Sequence, residues 1–460
     1  MKRNKIQAVV NGIKSVLFVV LLIVGLVLNG IPSLHPTVSE TEKRELNRFP
    51  TFSWQALWSG DFFSKESDDP SQVGLSQWFS DTFPFRESLI SAYAKIESLY
   101  GIRNTQIHGD IQAGDEIPDA PVSSEAASSQ AVSSGFQEIA DPGKDASSET
   151  EPPPTAESMG GILLVGDTAY EYYNFSTNAA NTYAAAVNRV AERLEGKAKV
   201  YDIVVPTSIA ITLPASLKSG ISSSDQLKAT NYIYSSMSDK VRTVDVYTTL
   251  YGHRQEYIYF RTDHHWTQLG AYYAYEQLMA AMKKEAVPLA RYTDGNLKTY
   301  DGFLGSFYAA AKEPAAMANR PDCVVAMAPL NNTTMNVYQA DGVTVKYADY
   351  PVIQDTTNYK ASSKYASTFI AGDNPYTVIE NRDLADGSAC VLVKESYGNC
   401  FAPLLIPHYQ TVYVVDYRHY ANSLYELVEQ KGVTDVIFLN NISATRNASL
   451  MSYLENLSNR

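Results

Sequence analysis

With 460 residues, 45% of them hydrophobic and 11% aromatic, the chain has enough apolar side chains for one large folded core plus small appendages. Its net charge of −13 argues against the basic face that nucleic-acid binding requires. Ten acidic residues against a single lysine between Ala113 and Ser158 supply about −9 of that −13, so the remainder is nearly balanced and its acidity carries no message about substrate.

Lys2, Arg3, Lys5 and Lys14 flank an apolar run from Ser15 to Leu34. About 20 such residues span a bilayer, and the basic flank keeps the N-terminal side in the cytoplasm. The expectation is a cytoplasmic tail over 1–14 and a single transmembrane signal-anchor over 15–34. Everything after Leu34 then sits at the cell membrane on its extracytoplasmic side. A cleaved signal is the alternative, since Asn29-Gly30-Ile31-Pro32-Ser33 weakly mimics a cleavage site.

Residues 35–112 read as a helical, aromatic-rich juxtamembrane region packed against the main domain. Asp61-Phe62-Phe63 and Gln77-Trp78-Phe79 supply its apolar anchors, and Arg86 to Leu99 has helical periodicity. Over 113–158 the composition turns to Ser, Ala, Glu, Asp and Pro, with Phe136 the only aromatic. Such a segment cannot bury enough apolar surface to offset its chain entropy, which predicts a disordered linker.

Residues 159–460 alternate strand-like and helical runs, the pattern of an α/β domain with a doubly wound, mainly parallel sheet. Gly161 to Gly166 is expected as a strand leading to a helix from about Asn178 to Leu194. Strands follow at Val200–Val205, Tyr257–Phe260, Val391–Val393, Val412–Val415 and Val436–Leu439. The stretch from Ala290 to Ala389 is less regular and reads as loops or a lid.

Three strand ends carry chemistry. Arg261-Thr262-Asp263-His264-His265-Trp266-Thr267 places a carboxylate and an imidazole two residues apart, before a helix from Gln268 to Lys284 that Thr267 would cap. In an extended segment residues i and i+2 share a face, so Asp263 could orient His265 as a general base. His264 competes for that role. Cys390 to Lys394 is a buried-type strand that stops at Glu395-Ser396-Tyr397-Gly398, which suits a nucleophile exposed on a sharp turn, with Gly398 letting substrate approach backbone N–H groups. The strand from Asp435 ends in Asn440-Asn441, either of which could donate to an oxyanion. Trp266, Tyr397 and Arg418 are candidates for substrate contact. Tyr397 reads equally as core, and Arg418 as the partner of Asp416.

Two other chemistries compete. Asp-His-His resembles the metal triad of DHH phosphoesterases, but the further aspartate motifs those enzymes require are missing, so no metal is expected. Cys400 is a rival nucleophile. The count of three cysteines, with Cys390 and Cys400 at opposite ends of a strand-turn unit, disfavours a disulfide.

These motifs resemble the DHHW family, related to the AlgX/AlgJ-like alginate O-acetylation proteins and their SGNH-hydrolase-like domain. The likeness rests on Asp263, His265 and Trp266, on Lys394 to Asn399, on Val414-Val415-Asp416-Tyr417-Arg418, and on Ser39 to Arg44 and Phe79 to Arg86. It implies an SGNH-like catalytic domain over 159–460 with Ser396, His265 and Asp263 as its triad. Glu395 departs from the pattern, standing where an aspartate usually precedes the serine. The resemblance further implies O-acetyl transfer to a cell-surface polysaccharide without a cofactor, supplied by a membrane-bound O-acyltransferase. A carbohydrate esterase and a non-catalytic assembly scaffold remain alternatives.

Overall fold

The structure is a computed structural model and describes residues 35, 38–39, 44–65, 72–82, 84, 114–118, 139, 156–159, 161–218 and 220–460. The expected membrane span over 15–34, the helix from Arg86 to Leu99 and most of the acidic segment lie outside them. Among the described residues no helix is long and apolar enough to cross a membrane. Met1–Asn104 and Thr105–Arg460 form two compact units.

In the first unit, helices Trp54–Ser59 and Asp61–Ser64 meet at Gly60, whose φ of 88° ends one helix and starts the next. Neither helix has a buried residue. Phe52, Trp54, Trp58 and Phe63 remain at least half exposed.

The second unit is built on an eight-stranded sheet. Numbered in chain order, its strands are β1 (Lys199–Val205), β2 (Val241–Thr243), β3 (Thr333–Tyr338), β4 (Val345–Tyr347), β5 (Tyr376–Asn381), β6 (Ala389–Lys394), β7 (Thr411–Asp416) and β8 (Asp435–Asn441). Their spatial order is β4-β3-β5-β7-β6-β8-β1-β2. From β7 to β2 all neighbours are parallel. From β7 outward through β5 and β3 to β4 all are antiparallel. Every residue of β6 and β8 is buried, which explains why they read as unbroken apolar runs rather than alternating ones. Helices α1 (Thr177–Arg193), α2 (Gln226–Ser235), α3 (Gln268–Met282), α4 (Gly398–Leu405), α5 (Leu424–Lys431) and α6 (Ala448–Asn459) surround the sheet segments. Helix α6 packs on α1, and α3 packs on α4.

The α/β class is as expected, but the sheet is mixed. The stretch from Ala290 to Ala389 is no simple lid: it supplies β3, β4 and β5, plus a two-stranded antiparallel sheet of Leu297–Phe303 with Asp322–Met327. Its polar residues alternate with core residues such as Met335, Val337 and Ile379. That period of two is easily lost among many Tyr, Asn and Thr. Ile162–Val165 is a strand, yet it belongs to a separate antiparallel sheet with Ala156–Met159 and Thr168–Glu171.

The acidic segment is docked wherever it is described. Asp115 donates its N–H to Phe175 O, and its carboxylate accepts from Thr177 N–H at the start of α1. Ile139 is buried and exchanges two hydrogen bonds with the Asn231 amide. Of the described residues, Ile139 is part of the core and Ile117 packs against it.

Candidate active site

The segment before α3 is a closed loop rather than a strand end. Tyr259 bridges antiparallel to Trp266, Phe260 N–H donates to His265 O, and Thr267 N–H donates to Ile258 O. The chain therefore doubles back and carries Asp263 to His265 at its tip. Asp263 and His265 meet through a turn, not through an extended face: the Asp263 carboxylate accepts the His265 backbone N–H at 3.0 Å and faces Nδ1 of its ring at 2.5 Å. This is the local Asp side-chain-to-backbone geometry that short acidic residues favour in turns.

On the far side of the ring, His265 Nε2 lies 2.7 Å from Ser396 Oγ. Ser396 follows β6, and Gly398 opens α4. The sheet edge thus delivers the serine and the loop delivers the imidazole, with Asp263 behind it. The His264 ring lies against that of His265, 3.8 Å between centroids, but its Nδ1 meets Ser306 Oγ, 2.7 Å away, and not Ser396.

Several residues that sequence reasoning passed over hold this arrangement. Asp263 Oδ2 accepts the Ser306 N–H at 2.7 Å. Gly305 lets the carboxylate come so close that a Cβ there would lie 2.2 Å from Oδ2. Burial opposes ionisation of Asp263, but the adjacent His264 and His265 and the hydrogen bonds from His265 and Ser306 outweigh it and hold the carboxyl well below its usual range. Buried Asp322 ties the loop's base, accepting from Tyr257 Oη, from Arg261 N–H and Nε, and from Thr262 N–H and Oγ1. Tyr365 packs on the His265 ring at 4.3 Å between centroids. A lone Gly-Ser pair and a lone Asp 40 to 60 residues downstream offer no local motif by which to find them.

Trp266 and Tyr397 are fully buried, which removes both as sugar platforms. They lock the loop to the nucleophile turn instead. Trp266 Nε1 donates to Tyr397 O at 3.0 Å, Tyr397 Oη donates to His264 O at 2.5 Å, and Gln268 Nε2 donates to Cys400 O at 2.9 Å.

The oxyanion candidates separate. Gly398 N–H is spent on Glu395 O, and the space a Cβ would need is filled by the Lys394 stem, 2.5 Å away. Close packing of protein, not approach of substrate, requires that glycine. Asn440 is fully buried in a core network, accepting from Tyr417 Oη and donating to Tyr183 Oη. Asn441 ends β8 beside the nucleophile strand, and its amide oxygen accepts from Ala444 N–H. No hydrogen bond from its amide nitrogen is found among the described residues, so it keeps a donor to give.

Glu395 straddles the turn. It accepts Asn441 N–H on one oxygen and Tyr397 N–H on the other, at 3.0 and 3.2 Å, and that second oxygen also lies 3.1 Å from Ser396 Oγ, farther than His265 Nε2. Burial raises its carboxyl above the usual range. Arg418 grips Asp416 through Nε and Nη2 at 2.8 and 2.6 Å, the pairing reading of that residue. Cys400 is fully buried, and burial pushes its thiol up to about 12, which leaves it no nucleophilic anion. All three cysteines are free thiols. Asp263, His264 and His265 place ligand-type atoms within 4.8 Å of one another, but both ring nitrogens of His265 and both oxygens of Asp263 are already engaged.

Among curated proteins none matches the chain significantly. Solved structures do. A DHHW family protein from Eubacterium siraeum DSM 15702 is 28% identical with a TM-score of 0.59, over 66% of this chain and 98% of that one. Bacillus cereus PatB1 with a sulfonyl adduct is 17% identical with a TM-score of 0.50, over 64% and 99%, a likeness of fold. The O-acetyltransferase domain of Pseudomonas putida AlgJ also matches, at 13% identity and a TM-score of 0.30 over 66% and 99%. The family model described as DHHW protein matches residues 42–147 and 137–415. The chain belongs to the DHHW family.

Proposed function

We propose that this protein is a membrane-anchored, extracytoplasmic O-acetyltransferase that modifies a cell-surface polysaccharide through an acetyl-serine intermediate. The observation that carries the reading is the unbroken relay from Asp263 through His265 to Ser396, at 2.5 and 2.7 Å. Nothing else within the described loop and turn combines a hydroxyl, an imidazole and an ionised carboxyl in line.

Ser396 Oγ attacks the acetyl carbonyl carbon while its proton passes to His265 Nε2. Asp263 holds the Nδ1 proton and stabilises the imidazolium. Collapse of the tetrahedral intermediate returns the proton to the departing donor alkoxide and leaves acetyl-Ser396. The acceptor hydroxyl then loses its proton to His265 and takes the acetyl group, and Ser396 leaves with the proton back on Oγ. The Asn441 amide, level with Ser396 when the register of Lys394 with Leu439 is continued, is the side-chain donor that serves the oxyanion. Outside the membrane acetyl-CoA is absent, so a membrane-bound O-acyltransferase supplies the acetyl group. Water in place of the sugar would make the same site an esterase.

The test uses p-nitrophenyl acetate and the full chain. Ser396→Ala is expected to lower acetyl release by on the order of 10⁴ or more, with an unchanged thermal transition. Phenylmethylsulfonyl fluoride should add one sulfonyl group, located on the peptide containing Ser396. Undiminished release by a folded Ser396→Ala overturns the reading.

A further inference from the structure

Beside the nucleophile lies a charged cluster that the relay does not use. Lys394, two residues before Ser396, reaches Asp416 at 2.9 Å and Asp373 at 3.2 Å. Arg418 pairs with the same two carboxylates, at 2.6 and 2.8 Å. Asn399, three residues after Ser396, donates from its amide nitrogen to Asp373 at 2.8 Å. Asp373 is therefore held from both sides of the nucleophile.

The cluster is graded in exposure. The Lys394 and Asp416 side chains are 1% and 0% exposed, whereas Arg418 and Asp373 are 19% and 35% exposed. Its open edge is thus a carboxylate beside a guanidinium. Arg418 Nη1 has no hydrogen bond among the described residues, its Nε and Nη2 being those turned to the carboxylates, and the buried Asn399 amide oxygen has none among them either. Unfilled donors and acceptors at a buried polar site ask for a ligand or a bound water.

The segment delivering Asp373 is strained. Ile370, Ala371 and Gly372 have φ of 45°, 61° and 80° in succession, and the first is β-branched, a costly residue for that region. A Cβ at Gly372 would lie 2.7 Å from Ala366 O. Backbone strain concentrates where a side chain must be held in one place, as Asp373 is here.

We infer that Asp373 and Arg418, with Asn399 holding the Asp373 carboxylate from below, form an acceptor subsite for a neutral polyhydroxyl sugar, adjoining Ser396. A carboxylate and a guanidinium side by side present an acceptor and a donor to neighbouring sugar hydroxyls. The two cations face two carboxylates, so the cluster offers no net positive charge with which to draw a uronate. The role of this subsite rests on the acyl-transfer reading; its existence does not.

Calorimetric titration of the full chain tests it without any turnover, using cellopentaose, chitopentaose and maltopentaose as neutral probes and pentagalacturonate as the anionic one. At least one neutral pentamer is expected to bind at least about tenfold more tightly than pentagalacturonate. Asp373→Asn, which leaves an unmatched cation, should weaken the neutral pentamer by about tenfold and strengthen pentagalacturonate. A merely structural loss would weaken both alike. Absence of binding by all three neutral pentamers, equal or tighter binding of pentagalacturonate by the natural chain, or parallel weakening in a folded Asp373→Asn overturns the inference. A chain that binds the neutral pentamer yet never forms acetyl-Ser396 refutes the catalytic reading and leaves the subsite standing.

Discussion

Trp266 and Tyr397 grip each other's backbone strands across the site: the indole N–H of one is donated to the carbonyl of the other, and the tyrosine hydroxyl returns to the carbonyl of His264. The residue after the base is thereby bonded to the residue after the nucleophile. The separation of His265 from Ser396 is set by two side chains that never meet solvent. Rigid placement of this kind matters because a displacement of about 1 Å in a reacting pair costs about 10²-fold in rate.

Trp266→Phe keeps the ring and removes the N–H. It is expected to lower kcat on p-nitrophenyl acetate by about tenfold to a hundredfold with little change in KM, since the loss falls on alignment. Loss of this bond to the buried Tyr397 carbonyl, which keeps only the weak Cys400 thiol donor, should also cost about 0.5–1.5 kcal/mol of stability by urea titration. A kcat equal to that of the natural chain would refute the positioning role.

Gly305→Ala puts a methyl group where Asp263 Oδ2 now lies. The carboxylate must then withdraw from the Ser306 N–H, and the His265 ring loses its fixed orientation. A fall in kcat of about 10²-fold is expected. Gly305→Ala activity within twofold of the natural chain would show that the loop yields without disturbing the relay.

Asp263→Asn keeps the shape but cannot stabilise an imidazolium, and a loss of about 10⁴ in kcat is expected by analogy with such triads generally. Because the folded carboxyl is held below its ordinary value, its contribution to stability is fully present above the unfolded value of about 4. It is lost only as the pH falls through the lower folded value. The difference in melting temperature between Asp263→Asn and the natural chain should therefore be constant from about pH 5 to 8 and shrink in stronger acid.

Asp202, on β1, titrates in the opposite sense. It is fully buried, one oxygen accepts from the Tyr183 hydroxyl, and the other has no partner. Burial raises its carboxyl to about 7. The folded state therefore holds a proton that the unfolded chain releases near pH 4, and stability falls as pH rises from about 4 to about 7. Asp202→Asn should flatten that limb when unfolding is followed across this range. An unchanged slope would show that Asp202 is ionised in the fold.

Much of the site was legible because it is local. Asp263 and His265 lie two residues apart, and the apolar runs that became β6, β7 and β8 show their burial in composition alone. What escaped the sequence was tertiary. The expected strand at Tyr257 closed into a loop: Phe260 N–H turns back to His265 O, and Asp322, about 60 residues on, takes the next two N–H groups, of Arg261 and Thr262. Trp266, Tyr397 and Gly398 looked like surfaces for substrate because aromatic and glycine residues serve binding and packing equally well. Only the partners of their polar atoms separate the two uses. Strands β3 to β5 were hidden for a related reason, since an antiparallel strand shows only every second residue to the core.

Strand β6, which bears the nucleophile, lies between β7 and β8, and both of those come later in the chain. The base waits 131 residues upstream. During synthesis the imidazole loop emerges long before the hydroxyl it will face, and the strand leading to the serine lacks its second neighbour until the last strand arrives. Contacts of such long sequence separation form late. The Asp263–His265–Ser396 alignment is thus withheld from every partly folded form of the chain, and its assembly marks the completion of folding.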